Sequence, residues 1–312
     1  MDKMIASTGS GVLRRLVQSE RDLRLSFDRR ILSSQDEAAV KRMWLASLYL
    51  QARSLAQQRA VRSGLWIPDG LNVLMSLALE PGDCFFDIGA NVGWVTERAA
   101  WLVGKRGSVH SFEPSPATMR YLRRRLVCMG LSNVVLNEFA LGAALGSATL
   151  YECAENFGGS SALRPGAAPG QHLSAENQVA VKVLDDYVEQ NSISQVRLIK
   201  MDVQGSEIDV LHGARRLLTA PNRPVLFVEV EQTVNAAFGH SINDLLNSLI
   251  GLGYDLYSWR ESSLVRVQSE ADIPASGYDD VICLSPGVHD VLHDQLEHLA
   301  QHPRFRIVLT ID

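Results

Sequence analysis

Cys84-Phe85-Phe86-Asp87-Ile88-Gly89-Ala90-Asn91-Val92-Gly93 is a short, mostly apolar run that ends in an acid and two spaced glycines. A run of this length followed by glycine reads as a strand, and Thr96 to Val103 behind it reads as a helix. The loop between them then lies at the carboxyl end of the strand, where open α/β sheets bind ligands. Gly89 and Gly93 allow a tight turn and a close approach of backbone to ligand. Asp87 can accept a hydrogen bond from the ammonium of an amino-acid moiety or from an ordered water.

Outward from this loop the rhythm repeats. Ser108 to Phe112 reads as a second strand, Ala117 to Met129 as a helix, and Val134 to Leu136 as a third strand. Further strands are expected at Leu198 to Val203 and Val225 to Val230, with a closing pair near Asp255–Trp259 and Asp280–Leu284. Alternating βαβ units predict a parallel sheet with right-handed crossovers and helices on both faces. Residues 145–185 break the rhythm. Ser147–Glu152 and Val179–Val183 read as strands flanking Gly158-Gly159-Ser160-Ser161 and the loop from Pro165 to Gly170. A loop of roughly 20 residues in a compact domain is usually functional or disordered, so a hairpin excursion near the site is expected.

The first 80 residues differ in texture. They read as helical and charge-rich, and Val40, Met43, Trp44, Leu48, Ala52 and Leu55 recur at helical steps along one face. Arg29, Arg30, Lys41 and Arg42 are interspersed with acids and read as a solvated face. Pro68-Asp69-Gly70 breaks the pattern before a short helix to about Leu79. The expected organisation is a helical extension over 1–80, serving as cap, substrate element or homodimer contact, followed by an α/β domain over 81–312.

Bulk properties narrow the function. The 312 residues are 46% hydrophobic and 21% charged with a net charge of −5, which gives no basic field for nucleic acid. Cys84, Cys128, Cys153 and Cys283 form no CxxC pair, which argues against a zinc knuckle or disulfide framework and reads as small buried side chains. No stretch approaches the ~20 apolar residues needed to span a bilayer. The expectation is a soluble, cytoplasmic protein with no membrane partner.

Three clusters carry the chemistry. The loop from Gly89 to Gly93 lacks the third glycine of a dinucleotide fingerprint and there is no phosphate-loop motif, which disfavours a dehydrogenase. Glu113, in Ser111-Phe112-Glu113-Pro114, ends the second strand and can accept hydrogen bonds from both ribose hydroxyls of an adenosine. It follows Asp87 by 26 residues, close to the ~20-residue offset of a ribose-binding acid in such folds. Ile199-Lys200-Met201-Asp202-Val203-Gln204-Gly205-Ser206-Glu207 places Asp202 where the chain leaves the sheet, with Glu207 in the first turn of the next helix. Glu207 fits a helix-dipole role as well as a catalytic one. Lys200 can ion-pair with a neighbouring acid. Glu229 and Glu231 fall on one side of the following strand, and Asp202 and Glu229 meet if the two strands are neighbours. Two carboxylates could share general-base work or bind Mg²⁺, but no third ligand is evident and a metal is not favoured. His240 is an outside candidate.

Together these segments resemble the FkbM family of methyltransferases, mostly O-methyltransferases of polyketide and sugar metabolism. The resemblance rests on Phe86 to Thr96, Ser111 to Pro116 and Ile199 to Glu207, with Ala140-Leu141-Gly142 and Val210 to Ala214 as further matches, over roughly residues 80–260. It implies a Rossmann-like sheet of seven strands binding S-adenosylmethionine. Carried over by position, Asp87, Gly89, Ala90, Asn91 and Gly93 would hold the methionine end, Glu113 and Pro114 the ribose side, and Asn137 to Ala140 the adenine. Asp202 falls near the transferred methyl. Trp94 stands where Tyr or Phe is more usual, and the first ~80 residues lie outside the resemblance. The implied reaction is methylation of a hydroxyl on a sugar or small natural product, with Asp202, Glu207 and Glu229 as candidate bases. Strand four ends in Met201-Asp202-Val203-Gln204, which lacks the tetrad of base amino-methylating enzymes. The alternative is a non-catalytic module that binds S-adenosylmethionine or a partner protein.

Overall fold

In the computed structural model, which describes residues 37–64, 69–153, 161–163 and 173–301, the run Cys84–Ile88 forms strand β1. Phe85, Phe86 and Ile88 are all buried, because β1 lies at the centre of a sheet covered on both faces. Burying each of these side chains contributes on the order of 2 kcal/mol. Strands β2 (Ser108–Phe112) and β3 (Val134–Asn137) step outward from β1 in parallel. The chain then leaves this sheet. Ala140–Leu141 (β4), Gly146–Cys153 (β5), Ser161–Ala162 (β6) and Leu173–Lys182 (β7) form a separate four-stranded sheet ordered β4-β7-β5-β6.

The main sheet resumes on the other side of β1 with β8 (Leu198–Met201) and β9 (Val225–Glu231), both parallel to it. β10 (Asp255–Arg260), β11 (Ser263–Val267) and β12 (Tyr278–Leu284) close it by antiparallel pairing. The order is β11-β10-β12-β9-β8-β1-β2-β3, the seven expected strands plus the edge strand β11. The strand order reverses between β1 and β8, and this switch point opens a crevice at the strands' carboxyl ends.

Alternation along the strands divides the core. Phe85, Val109, Leu198, Val225 and Phe227 turn to one face, under helices Gly70–Ala78, Trp94–Val103 and Asp290–Gln301. Phe86, Ile199, Met201, Leu226 and Val228 turn to the other, under helices Leu184–Gln190, Glu207–Gly213 and Ile242–Gly251. Helix Pro116–Met129 starts at the N-cap Ser115, whose Oγ accepts from the Thr118 N–H at 3.1 Å, and stops at Gly130 in the left-handed region.

The excursion expected over 145–185 is this second sheet, built on the β5–β7 hairpin. Residues 154–160 and 164–172, including the loop from Pro165 to Gly170, lie outside the described residues, as do 1–36.

The extension needs a correction. Helix Glu37–Arg62 forms, but among its described side chains only Leu55 of the proposed face packs against the core, while Leu48, at 41%, and Ala52 are exposed. The buried stripe is Ser47, Leu50, Ser54, Gln58 and Val61. Two of its polar members, Ser47 and Gln58, meet carbonyls there. Ser47 Oγ donates to the Met129 carbonyl at 2.9 Å. Gln58 Nε2 donates to Ser76 and Leu79 carbonyls at 3.3 and 3.1 Å, and Arg62 donates to the same two at 2.7 and 2.8 Å. These bonds satisfy the otherwise orphaned end of helix Gly70–Ala78. Among the described residues, no helix is long and apolar enough to cross a membrane.

Candidate functional site at the β1–β8 switch point

The loop after β1 turns because its glycines permit it. Gly89 has φ +78°, and a Cβ there would lie 1.8 Å from the Asp202 carbonyl oxygen. The loops after β1 and β8 therefore approach within backbone contact, and only glycine allows this. The Gly89 and Ala90 N–H groups both donate to the Phe112 carbonyl at 3.0 Å, which fastens the loop to β2. Gly93, at φ +85°, opens helix Trp94–Val103 against Leu122.

Glu113 stands at the tip of β2, 5% exposed. Its Oε2 accepts from the Asn91 N–H at 2.9 Å and its Oε1 from the Ser115 N–H at 2.8 Å. Burial pushes its carboxyl up to about 7, against those two backbone donors. Asp87 is fully buried beneath the loop. Thr96 Oγ donates to Asp87 Oδ2 at 2.5 Å, while Oδ1 has no hydrogen-bond partner and faces Lys200 Nζ at 3.7 Å. Burial raises its proton affinity, with Lys200 and Thr96 opposing.

Lys200 connects three elements. Its Nζ donates to the Gly89 carbonyl at 2.7 Å and pairs with Asp202 Oδ2 at 3.2 Å, as the sequence spacing allowed. Burial alone would lower its affinity for a proton; Asp202 and Asp87 outweigh that and raise it. Burial works the other way on Asp202, where Lys200, Glu229 and Gln204 prevail and hold the carboxyl below its ordinary range.

β8 and β9 are neighbours, with Met201 opposite Val228, so Asp202 and Glu229 do meet at adjacent strand tips. Gln204 Nε2 bridges them, 3.0 Å from Asp202 Oδ1 and 2.8 Å from Glu229 Oε2. Burial and the Asp202 charge push Glu229 up to about 9. Asp280, opposite Glu229 across the β9–β12 ladder, is pushed up to about 7 by burial and the Asp202 charge.

The crevice is walled by Gly89, Asn91, Glu113 and Pro114 on one side and by Asp202, Val203, Gln204 and Ser206 on another. Its apolar wall is Ile88, Phe112, Phe139 and Leu141, roofed by Leu150 and Leu163 of the second sheet; Ala140 lies beside them. Asp87, Ala90 and Gly93 support the loop from behind and do not line it. Glu207 is 2% exposed, also off the wall: its Oε1 accepts from the Val203 and Gly205 N–H groups at 3.1 and 3.3 Å, its Oε2 has no hydrogen-bond partner, and burial raises it to about 7. Glu229 is not on the wall and meets the crevice through Gln204 and through Asp202. His240 is not on the wall, and its N–H donates to the Asn235 carbonyl at 3.1 Å. Sequence reading passed over Gln204, Leu150 and Leu163. The first was visible only as the link between two acids, and the roof residues carry no local signal.

Comparison with known proteins places this crevice in context. The curated relatives include a hexuronic acid methyltransferase of Haloferax volcanii, 27% identical over 52% of this chain and 61% of its own. A methyltransferase of Beauveria bassiana is 34% identical over 43% and 59%, and the 2-O-methyltransferase NoeI of Sinorhizobium fredii 29% over 47% and 63%. The chain thus spans about three fifths of the length of the curated relatives it matches. A solved FkbM methyltransferase of Methylobacillus flagellatus aligns over 74% of this chain and 59% of its own, with 14% identity and a TM-score of 0.42. A family model described as the methyltransferase FkbM domain matches residues 87–256, more than half of the chain and the whole span from Asp87 to β10. That span holds Glu113, Asp202 and Glu229, and by this match the chain belongs to the FkbM family of methyltransferases.

Proposed function

We propose that the chain transfers a methyl group from S-adenosylmethionine to a hydroxyl oxygen of a sugar or small natural product. The observation that carries this reading is the crevice at the β1–β8 switch point, with Glu113 and the Gly89–Asn91 turn on its wall. The residues present fit the cofactor. Asp87, fully buried behind the loop with its Oδ1 facing Lys200, would act on a cationic amino-acid end through its charge and the turn it supports, not by direct contact. Glu113 offers two carboxyl oxygens to a pair of ribose hydroxyls, with Pro114 beside it. Phe139, Ala140 and Leu141 offer an apolar slot for a base. Ala90 and Gly93 act by shaping the turn.

When bound, the cofactor supplies an electrophilic methyl on a sulfonium centre. The chain aligns the acceptor, excludes water and receives the hydroxyl proton. Asp202 is the group for that last task. It lines the crevice, its side chain is 34% exposed, and Lys200 keeps it ionised. Lys200 also supplies the positive charge that a cation beside Asp202 would otherwise provide. Two relatives named as acting on a hexuronic acid and as a 2-O-methyltransferase support a hydroxyl acceptor. Within the same reading the α/β domain starts near residue 81, and helix Glu37–Arg62 acts as a brace on it.

Calorimetric titration with S-adenosylmethionine and its demethylated product, on wild type and Glu113→Ala, tests the cofactor assignment. Micromolar binding lost in the variant supports it; no binding to the wild type removes it. Binding without methyl transfer to any of a panel of hydroxylated acceptors favours the non-catalytic module.

A further inference from the structure

Asp202 and Glu229 do not meet the crevice independently. One amide nitrogen, Gln204 Nε2, spends its two hydrogens on two carboxyl groups, at 3.0 Å from Asp202 Oδ1 and 2.8 Å from Glu229 Oε2. From the other side, Lys200 Nζ holds Asp202 Oδ2 at 3.2 Å. Gln204 adopts φ +54°, a left-handed conformation that a residue with a Cβ resists, and Gly205 follows at φ +101°. Such strain persists where the surroundings over-determine it, and an observed outlier on a cavity wall points toward function. Glycine at 204 would relax the backbone. What glutamine adds is the amide. A carboxyl there would put a third acid beside two, and a lysine would add a second positive charge beside Lys200; an amide donates to each without adding charge.

We propose that Gln204 is a positioning residue that ties Asp202 to Glu229 and keeps Asp202 as the ionised member of the pair, facing the acceptor hydroxyl. The inference rests on the reading of Asp202 as proton acceptor. The acceptor's O–H bond breaks as its oxygen forms the new bond to the methyl carbon, while sulfur keeps the electron pair of the bond that breaks. The proton goes to an Asp202 oxygen, and the resulting acid returns it to solvent after product leaves. Glu229, holding its own proton, lies off the crevice wall as a donor toward Asp202 and does not compete for the one released.

The test compares wild type with Gln204→Gly and Gln204→Met by carbon-detected carboxyl NMR across pH, with melting temperatures alongside. Both variants are expected to raise the Asp202 midpoint by at least half a pH unit, because its ionised form loses a donor. Gln204→Gly is expected to melt no lower than wild type, since strain leaves with the side chain. With a working acceptor, both are expected to lower kcat at least tenfold and shift its acidic limb upward. An Asp202 midpoint unmoved in both variants overturns the proposal. So does a Gln204→Gly variant that melts lower or fails to fold, which would make the residue merely structural. Wild type is also titrated with S-adenosylmethionine: absent binding would fail the methyl-transfer reading while leaving the carboxyl titrations as a separate result.

Discussion

The Asn91 N–H donates to Glu113 Oε2 at 2.9 Å, so the loop after β1 is tied to the tip of β2 through a carboxyl group that titrates near neutrality. Burial raises Glu113 to about 7, and only its ionised form accepts freely from a diol. Affinity for S-adenosylmethionine is therefore expected to rise with pH, by about tenfold between pH 6 and pH 8 for a group with that midpoint. Calorimetry at the two pH values checks it. Equal affinities would show that the carboxyl does not titrate there or does not touch the ribose.

Stability of the ligand-free chain is expected to move the opposite way. Glu113 and Glu207 at about 7, Asp280 at about 7 and Glu229 at about 9 are all raised, with burial as the first cause in each. The native state keeps protons that the unfolded chain has released, so stability falls as pH rises from about 4 through about 7, and on to about 9 for Glu229. Asp202 has the opposite sign, but its contribution is lost only on acidification below the ordinary carboxylate range. Scanning calorimetry should find a higher melting temperature at pH 5.5 than at pH 8, and the reverse order would refute the raised carboxyls.

Gly89→Ala and Gly82→Ala separate close approach from backbone conformation. Both glycines have positive φ, +78° and +110°, but a Cβ at 89 meets the Asp202 carbonyl at 1.8 Å whereas nothing lies within 4 Å at 82. The change at 82 should cost about 1 kcal/mol, that of the left-handed conformation. The change at 89 should exceed about 3 kcal/mol and abolish cofactor binding, because two loops must part. Denaturant melts of the two variants decide, and equal losses would contradict the contact.

Glu207 is placed to hold the Val203–Gly205 turn rather than to touch substrate. Glu207→Gln keeps one acceptor oxygen for those two N–H groups and should retain activity within a few-fold. Glu207→Ala leaves both donors unmet and should cost about 1–3 kcal/mol. If the glutamine variant is as dead as Asp202→Ala, Glu207 is chemically active after all.

Legibility in the sequence followed the range of the interactions. β1 and β2 were bounded to the residue, because each is followed at once by a turn signal, Gly89 after Ile88 and Glu113-Pro114 after Phe112. The edge strand β11, Ser263–Val267, was missed: it pairs on one side only, and most of its residues are incompletely buried. The inward face of helix Glu37–Arg62 was misread because it mixes apolar contacts at Leu50 and Val61 with side chains that meet carbonyls, and apolar periodicity finds only the first kind. Within the site, Asp202 and Glu229 were legible as strand tips, while their union depended on which strands are neighbours. Gln204 could not be read at all, since its meaning lies in a backbone angle and two distances that only the folded loop creates.

Between Asn137 and Ala140 the chain passes from one hydrogen-bonded ladder to another, so the floor and the roof of the crevice are consecutive in sequence but registered separately. Residues added between β5 and β7 leave β1, β2 and β3 in register with each other. The register of the main sheet is thereby insulated from changes in the roof, whereas the apolar slot at Ala140 and Leu141 is not. Both residues belong to the second sheet and Ala140 packs with Leu150, so a replacement of the roof would be felt in that slot before it reached β1 or β2.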